Sequence, residues 1–255
     1  MTIGQRFRLL LRVAPIVALL IAAKAAIHTL DFEFIALSGL VPSLVAGAIF
    51  ITGFLLSHVL ADYKEAERMP GEIRLALEAI HDDVSVFAGA TPGADIANLR
   101  QILTGIVAAL EAGLGAKGEH SDLRQAIARV DELTPVFATL EALGLSQRYM
   151  VRLRSQQDLL RRCLFRIYYM QKMQFVPSVH VLVQTIAFTS LFILLFLRTE
   201  GAFEPLIFGF VGFIFVYALF LIQTLEQPFR KGHGSVDDVS IFLLREFVSK
   251  IDQRR

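Results

Sequence analysis

Apolar residues are distributed along this chain in two ways. Four runs, residues 9–30, 34–61, 176–197 and 205–225, are apolar all around a helix. Each reaches the ~20 residues that carry a helix across a bilayer. Between the second and third runs the pattern changes. Ile73, Leu77, Ile80, Val84 and Phe87 recur at three- and four-residue spacing, as do Ile102, Ile106 and Leu110. That is the signature of amphipathic helices burying one face each. No stretch alternates with the period of two that marks a strand, and no internal repeat or low-complexity tract interrupts the series. The expected fold class is therefore all-α. It comprises four transmembrane helices with a helical domain inserted between the second and the third.

Turn and cap residues divide the insert. Gly89-Ala-Thr-Pro-Gly-Ala94 breaks its first helix, and Asp95 is placed to cap the next, which Gly113-Leu-Gly-Ala-Lys-Gly118 ends. A helix over 123–143 should bend near Pro135, and Gly144 separates it from a long helix over 146–175. The second apolar run has no break before Met69-Pro70-Gly71. Residues 62–68 are helix-compatible, so the membrane helix should continue as a rod to about Met69. At Pro70 a kink or a new helix is expected, because proline suits a helix start. The resulting organisation is 1–61 (N-terminal segment and two spans), 62–175 (insert), 176–225 (two spans) and 226–255 (C-terminal segment).

Charge adds orientation. Arg6, Arg8 and Arg12 precede the first span, and residues 148–172 carry seven basic residues against one acid, Asp158. Arg230 and Lys231 follow the fourth span. The link 28–33 has no Lys or Arg, and 198–204 is net acidic. The positive-inside rule then puts both termini and the insert in the cytoplasm, as in a bacterial inner-membrane protein. The insert itself is balanced, with 14 basic and 15 acidic residues, and the whole chain carries only +1. Nothing in this balance points to nucleic acid. An apolar content of 55% exceeds that of ordinary soluble domains. The partners expected are the lipid bilayer, other copies of the chain and small inorganic ions.

Candidate chemistry is sparse. Metalloprotease, phosphate-loop, dinucleotide and serine-hydrolase motifs are missing, so an enzyme is not expected, and neither is a cofactor. The histidines lack metal-ligand spacing. His81-Asp82-Asp83 reads as a solvated helix face. His58 and His180 fall near cytoplasmic membrane boundaries, where a histidine can sense pH or simply pack. Lys24, inside the first span, must face protein or water, line an ion path, or snorkel outward. Arg162 beside the single cysteine, Cys163, would lower its pKa, whereas burial would make it a plain core residue.

The second span carries a sharper pattern. Ala46, Phe50 and Phe54 lie at four-residue steps on one stripe, flanked by Gly47 and Gly53. Several copies of this helix around an axis would form an apolar throat that gates by dewetting. Spacing alone leaves a second reading open, in which the rings meet lipid or a neighbouring helix.

Gly53-Phe54, then Glu65-Ala66, then Gly71 resembles the second-span signature of the bestrophin family. Leu225-Glu-Gln-Pro-Phe229, followed by Asp237-Asp238, resembles the family motif after the fourth span, carried here by Glu226, Pro228 and Phe229. Arg166-Ile-Tyr-Tyr-Met-Gln-Lys-Met-Gln-Phe-Val-Pro177 is a further, looser match. The resemblance implies a homopentameric ion channel conducting chloride or other small anions. Its pore would be lined by the second span, with Ala46, Phe50 and Phe54 as the apolar neck. Leu55, Glu67, Pro70 and Arg230 depart from the family pattern. Two aspartates do not reproduce the dense acidic run with which eukaryotic members bind calcium, so calcium activation is not expected. Two other classes share the layout. One is a stator-type proton-channel subunit that works with a partner chain. The other is a membrane sensor or scaffold that does not conduct.

Overall fold

The computed structural model describes residues 7–36, 39–115, 120–172, 177–198, 204–229 and 238–253. Arg6, Arg230, Lys231, His233 and Asp237 lie outside them. The described residues form helices α1 (Arg8–Thr29), α2 (Leu40–Ala90), α3 (Ile96–Leu114), α4 (His120–Asp131), α5 (Leu133–Ala142), α6 (Gln147–Lys172), α7 (Pro177–Leu195), α8 (Glu204–Leu225) and α9 (Phe242–Gln253). Among them the only pairing of β type is an isolated parallel bridge between Ile35 and Leu197. Four helices, α1, α2, α7 and α8, contain windows long and apolar enough to cross a membrane.

The chain divides into two compact units. The first holds α1, α2 up to Tyr63, α7 and α8. Val13, Val17, Ala48, Leu55, Val59, Val183, Ala187, Leu191, Phe215 and Ile222 form its core. Here α1 packs chiefly against α8. The approach is close enough that a Cβ on Gly209 would lie 2.8 Å from Ile21 Cδ1. Near the Ile35–Leu197 bridge, Phe34 and Phe196 stack with centroids 5.1 Å apart. The bridge itself consists of Ile35 N–H donating to the Phe196 carbonyl and Arg198 N–H donating to the Ile35 carbonyl.

The second unit holds α2 from Lys64 onward, α3 to α6 and α9. Its core draws on every one of these helices, including Ile73, Leu77, Leu103, Leu110, Leu123, Phe137, Leu160 and Phe247. Each such side chain stabilises the unit by about 1.5–3 kcal/mol relative to exposure. Asp95 caps α3 as its position suggests, with Oδ1 accepting from Asn98 N–H at 2.9 Å. Gly144 takes φ +96° between α5 and α6, a conformation that favours glycine.

Three expectations need correction. Pro70 starts no new helix: α2 runs through it to Ala90. A mid-helix proline costs about 3 kcal/mol through its lost N–H bond and ring crowding. Burial of Ala66, Met69, Ile73, Ala76 and Leu77 along the same face offsets that cost. The bend expected near Pro135 falls earlier, at Glu132, which leaves Pro135 in the first turn of α5, where no N–H is needed. His81 is not on a solvated face. Its side chain is buried near Phe247 and Ile251 of α9. Nδ1 lies 3.1 Å from Asp82 Oδ1, and Nε2 has no hydrogen-bond partner among the described residues.

Helix α9 adds an element to the C-terminal segment. Leu244, Phe247 and Ile251 bury one face at three- and four-residue spacing. That spacing stands in the sequence and marks the helix once the C-terminal segment is read for periodicity.

Candidate functional site

On α2 within the first unit, two faces separate cleanly. Val41, Ala48, Thr52, Leu55 and Val59 are buried, stepping by three, four and seven residues. Thr52 satisfies its hydroxyl locally by donating to the Ala48 carbonyl at 2.8 Å. The other face carries Ala46, Phe50 and Phe54, all exposed. Each phenylalanine leaves 73% of its surface uncovered by its own chain. A Cβ on Gly47 or Gly53 would have nothing within 4 Å. The three candidate neck positions thus share one open, wholly apolar stripe, and Leu55, which departs from the family pattern, faces inward.

The other motif positions have structural partners. Glu65 takes a two-pronged ion pair from Arg166, with Nε to Oε1 at 3.1 Å and Nη2 to Oε2 at 2.9 Å. The same guanidinium lies over the Tyr169 ring, 5.7 Å from its centroid. Ala66 is fully buried in the core of the second unit, where a larger side chain would not fit without rearrangement. A Cβ on Gly71 would just touch Leu243 Cδ1, at 4.0 Å.

Glu226 sits 3.4 Å from His180 Nδ1, and His180 Nε2 lies 2.7 Å from Gln184 Nε2. Pro228 offers its carbonyl to Val239 N–H at 2.9 Å. Phe229 is buried in the second unit's core, and its carbonyl accepts from Gln171 Nε2 at 3.3 Å. Pro228 and Phe229 are therefore each held by a hydrogen bond, whereas Glu226 Oε1, buried near His180, has no hydrogen-bond partner among the described residues.

Lys24 does not snorkel. Its ammonium is buried against Glu33 Oε1 at 2.8 Å and also donates to the carbonyls of Leu195 and Leu197. His58 is exposed. Cys163 is buried, and its thiol donates to Glu72 Oε2 at 3.6 Å. Burial first, then the Glu72 charge and hydrogen bond, push its pKa up to about 12, overriding the opposite pull of Arg162. Among the described residues, no group of three His, Cys, Asp or Glu side chains is arranged to hold a metal ion.

No protein-family model matches the sequence, and no curated protein does. The backbone, by contrast, has close counterparts among solved structures. A variant of a bacterial bestrophin homolog from Klebsiella pneumoniae superposes with a TM-score of 0.74 at 16% identity, over 98% of this chain and 97% of that one. The fold is bestrophin-like. A second variant of the same homolog gives a TM-score of 0.70 at 17% identity, over 98% of both chains. A structure described as a membrane protein gives 0.71 at 17% identity, over 98% of this chain and 96% of that one. The bestrophin-like fold therefore takes in both units rather than one domain. With four helices of spanning length, the chain is an integral membrane protein.

Proposed function

We propose that this chain is the subunit of a bestrophin-like channel passing chloride or other small anions. Four spans, α1, the first part of α2, α7 and α8, cross a bacterial inner membrane. The helical insert and both termini lie in the cytoplasm. Copies of the chain assemble as a homopentamer with α2 around the axis, and Ala46, Phe50 and Phe54 form its neck. No catalysis is invoked.

The observation that carries this reading is the open stripe of Phe50 and Phe54 on a helix of a bestrophin-like fold. Around an axis the stripe makes a throat too apolar to stay wet at rest. Ring edges carry partial positive charge and suit a partly dehydrated anion. Ala46 leaves the outer entry wider, so the two phenylalanine rings are the restriction. pH sensing at His58 and His180 belongs to the same reading, with Glu226 as the partner of His180.

The test is a mass measurement in detergent followed by planar-bilayer recording in asymmetric salt. A pentamer whose reversal potential follows chloride is expected. The F50A/F54A double variant should conduct several-fold more than the parent. A monomer without current sinks the proposal, and unchanged currents in the double variant remove these rings from the gate.

A further inference from the structure

Within the second unit, α9 runs antiparallel to α3. Arg245, early in α9, holds Glu111, late in α3, with Nε to Oε1 at 2.8 Å. At the opposite end, Ile251 and Asp252 of α9 and the first turns of α3 line a cleft of about 490 Å³. Small-molecule sites are of that size, about 300–1,000 Å³. Arg100, Gln101 and Thr104 stand on one face of α3 and border the cleft together. The Thr104 hydroxyl donates to the carbonyls of Arg100 and Gln101 at 2.9 and 3.2 Å, which leaves its oxygen as an acceptor. Of the described residues that line the cleft, only Arg100 is a cation. Its side chain is half-buried and its Nε is closed off from solvent. It has no ion-pair or hydrogen-bond partner among the described residues. Arg154, equally half-buried, spends its guanidinium on Thr134, Gln157 and the Phe137 ring. Buried donors are ordinarily paired, so an unspent guanidinium in a cleft points to an anionic group from outside the chain. Two acids share the cleft. Asp95 commits Oδ1 to capping α3, whereas Asp252 is exposed and has no partner among the described residues.

We propose that this cleft binds a small zwitterion, such as a free amino acid, with its anionic group on Arg100 and its cationic group on Asp252. The charges select that class. A polyanion would meet Asp95 and Asp252, and a simple cation would meet Arg100. A molecule with one charge of each sign satisfies both sides. The guanidinium fork suits a carboxylate, which it can hold by two parallel N–H bonds. The amides of Asn98 and Gln101 and the Thr104 oxygen are left for the neutral part of the ligand. A ligand so held ties the start of α3 to the end of α9, opposite the Arg245–Glu111 pair. The site lies wholly within the second unit and does not depend on the pore reading.

The experiment is titration calorimetry of the full-length protein in detergent with glycine, L-serine and L-glutamine in turn. Acetate and methylammonium serve as probes of one sign each. At least one zwitterion should bind saturably, and both single-sign probes should bind about tenfold more weakly or worse. R100Q and D252N should each weaken zwitterion binding by about tenfold or more, the loss expected for one charge-assisted contact. R124Q, which alters an exposed arginine of α4 away from the cleft, should bind as the parent does. Should R100Q fail to fold, D252N at an exposed position carries the comparison. No saturable binding of any of the three zwitterions overturns the proposal. So does an affinity unchanged in both R100Q and D252N. Acetate bound as tightly as the zwitterions would make the cleft a plain anion site and overturn the assignment. Conduction is not read in this experiment, so its failure leaves the channel reading untouched.

Discussion

Lys24 Nζ lies 2.8 Å from Glu33 Oε1, and both side chains are almost wholly closed off from solvent. The ammonium also donates to the carbonyl of Leu195, the last residue of α7, which a helix terminus leaves without an intrahelical partner, and to that of Leu197 just beyond it. His28 Nδ1 approaches the second carboxylate oxygen of Glu33 at 3.3 Å. One lysine thus joins α1, the segment before α2 and the end of α7 within the first unit.

Removing one member of such a pair strands the other. K24M should destabilise the protein by about 3–5 kcal/mol, and E33Q should do so in the same direction, because a buried charge is left without its partner. K24M/E33M should recover much of the loss. Denaturant or thermal unfolding in detergent reads this directly. A double variant as unstable as the sum of the two singles would show that the pair has no coupling.

Cys163 predicts a pH dependence. In the folded protein its thiol titrates at about 12, against about 8.5 for an unperturbed thiol. The folded state therefore holds the proton where an unfolded chain would release it. The resulting stabilisation is complete below ~8.5 and is lost as pH rises through about 12. Alkylation by iodoacetamide at pH 8.5 should be slow in the native protein and fast after denaturation. E72Q should lower the thiol pKa without returning it to the ordinary range, since burial is the larger cause. Native labelling as fast as denatured labelling would contradict this.

Gln157 is fully buried, and its amide is spent on the second unit's own helices. Nε2 donates to the Val130 carbonyl at 2.8 Å and lies 3.0 Å from Thr134 Oγ1, and Oε1 accepts from Arg154 at 3.2 Å. Q157L keeps the bulk but leaves these partners unpaired, at a cost of about 1–3 kcal/mol. Q157L combined with T134V should cost less than the sum of the two changes. An unfolding midpoint unmoved by Q157L would show that water or the neighbours replace the amide.

Much of this was legible in the sequence because it depends on local periodicity. The four long apolar runs, the amphipathic α3 and the Asp95 cap each follow from residues a few positions apart. So does the stripe of Ala46, Phe50 and Phe54, whose common face is a property of one helix. The bestrophin resemblance of a few short motifs agrees with a backbone match over nearly the whole chain.

What failed to show in the sequence depends on contacts between distant segments. Pro70 has the local profile of a helix boundary, and only the core around Ala66, Met69 and Ile73 makes it an interior residue. His81-Asp82-Asp83 looks solvated until α9, nearly 170 positions away, covers the histidine. Arg162 is the obvious neighbour of Cys163 in sequence, yet Glu72 and burial govern the thiol.

The sequence by itself determined most of the helices and the face each presents, because these follow from the 3.6-residue period. Tertiary structure decided which polar groups are spent and which stay available. Lys24 finds Glu33, Glu65 finds Arg166, and Arg100 finds no partner among the described residues. Pairing depends on which helices meet in space, and no local pattern encodes that.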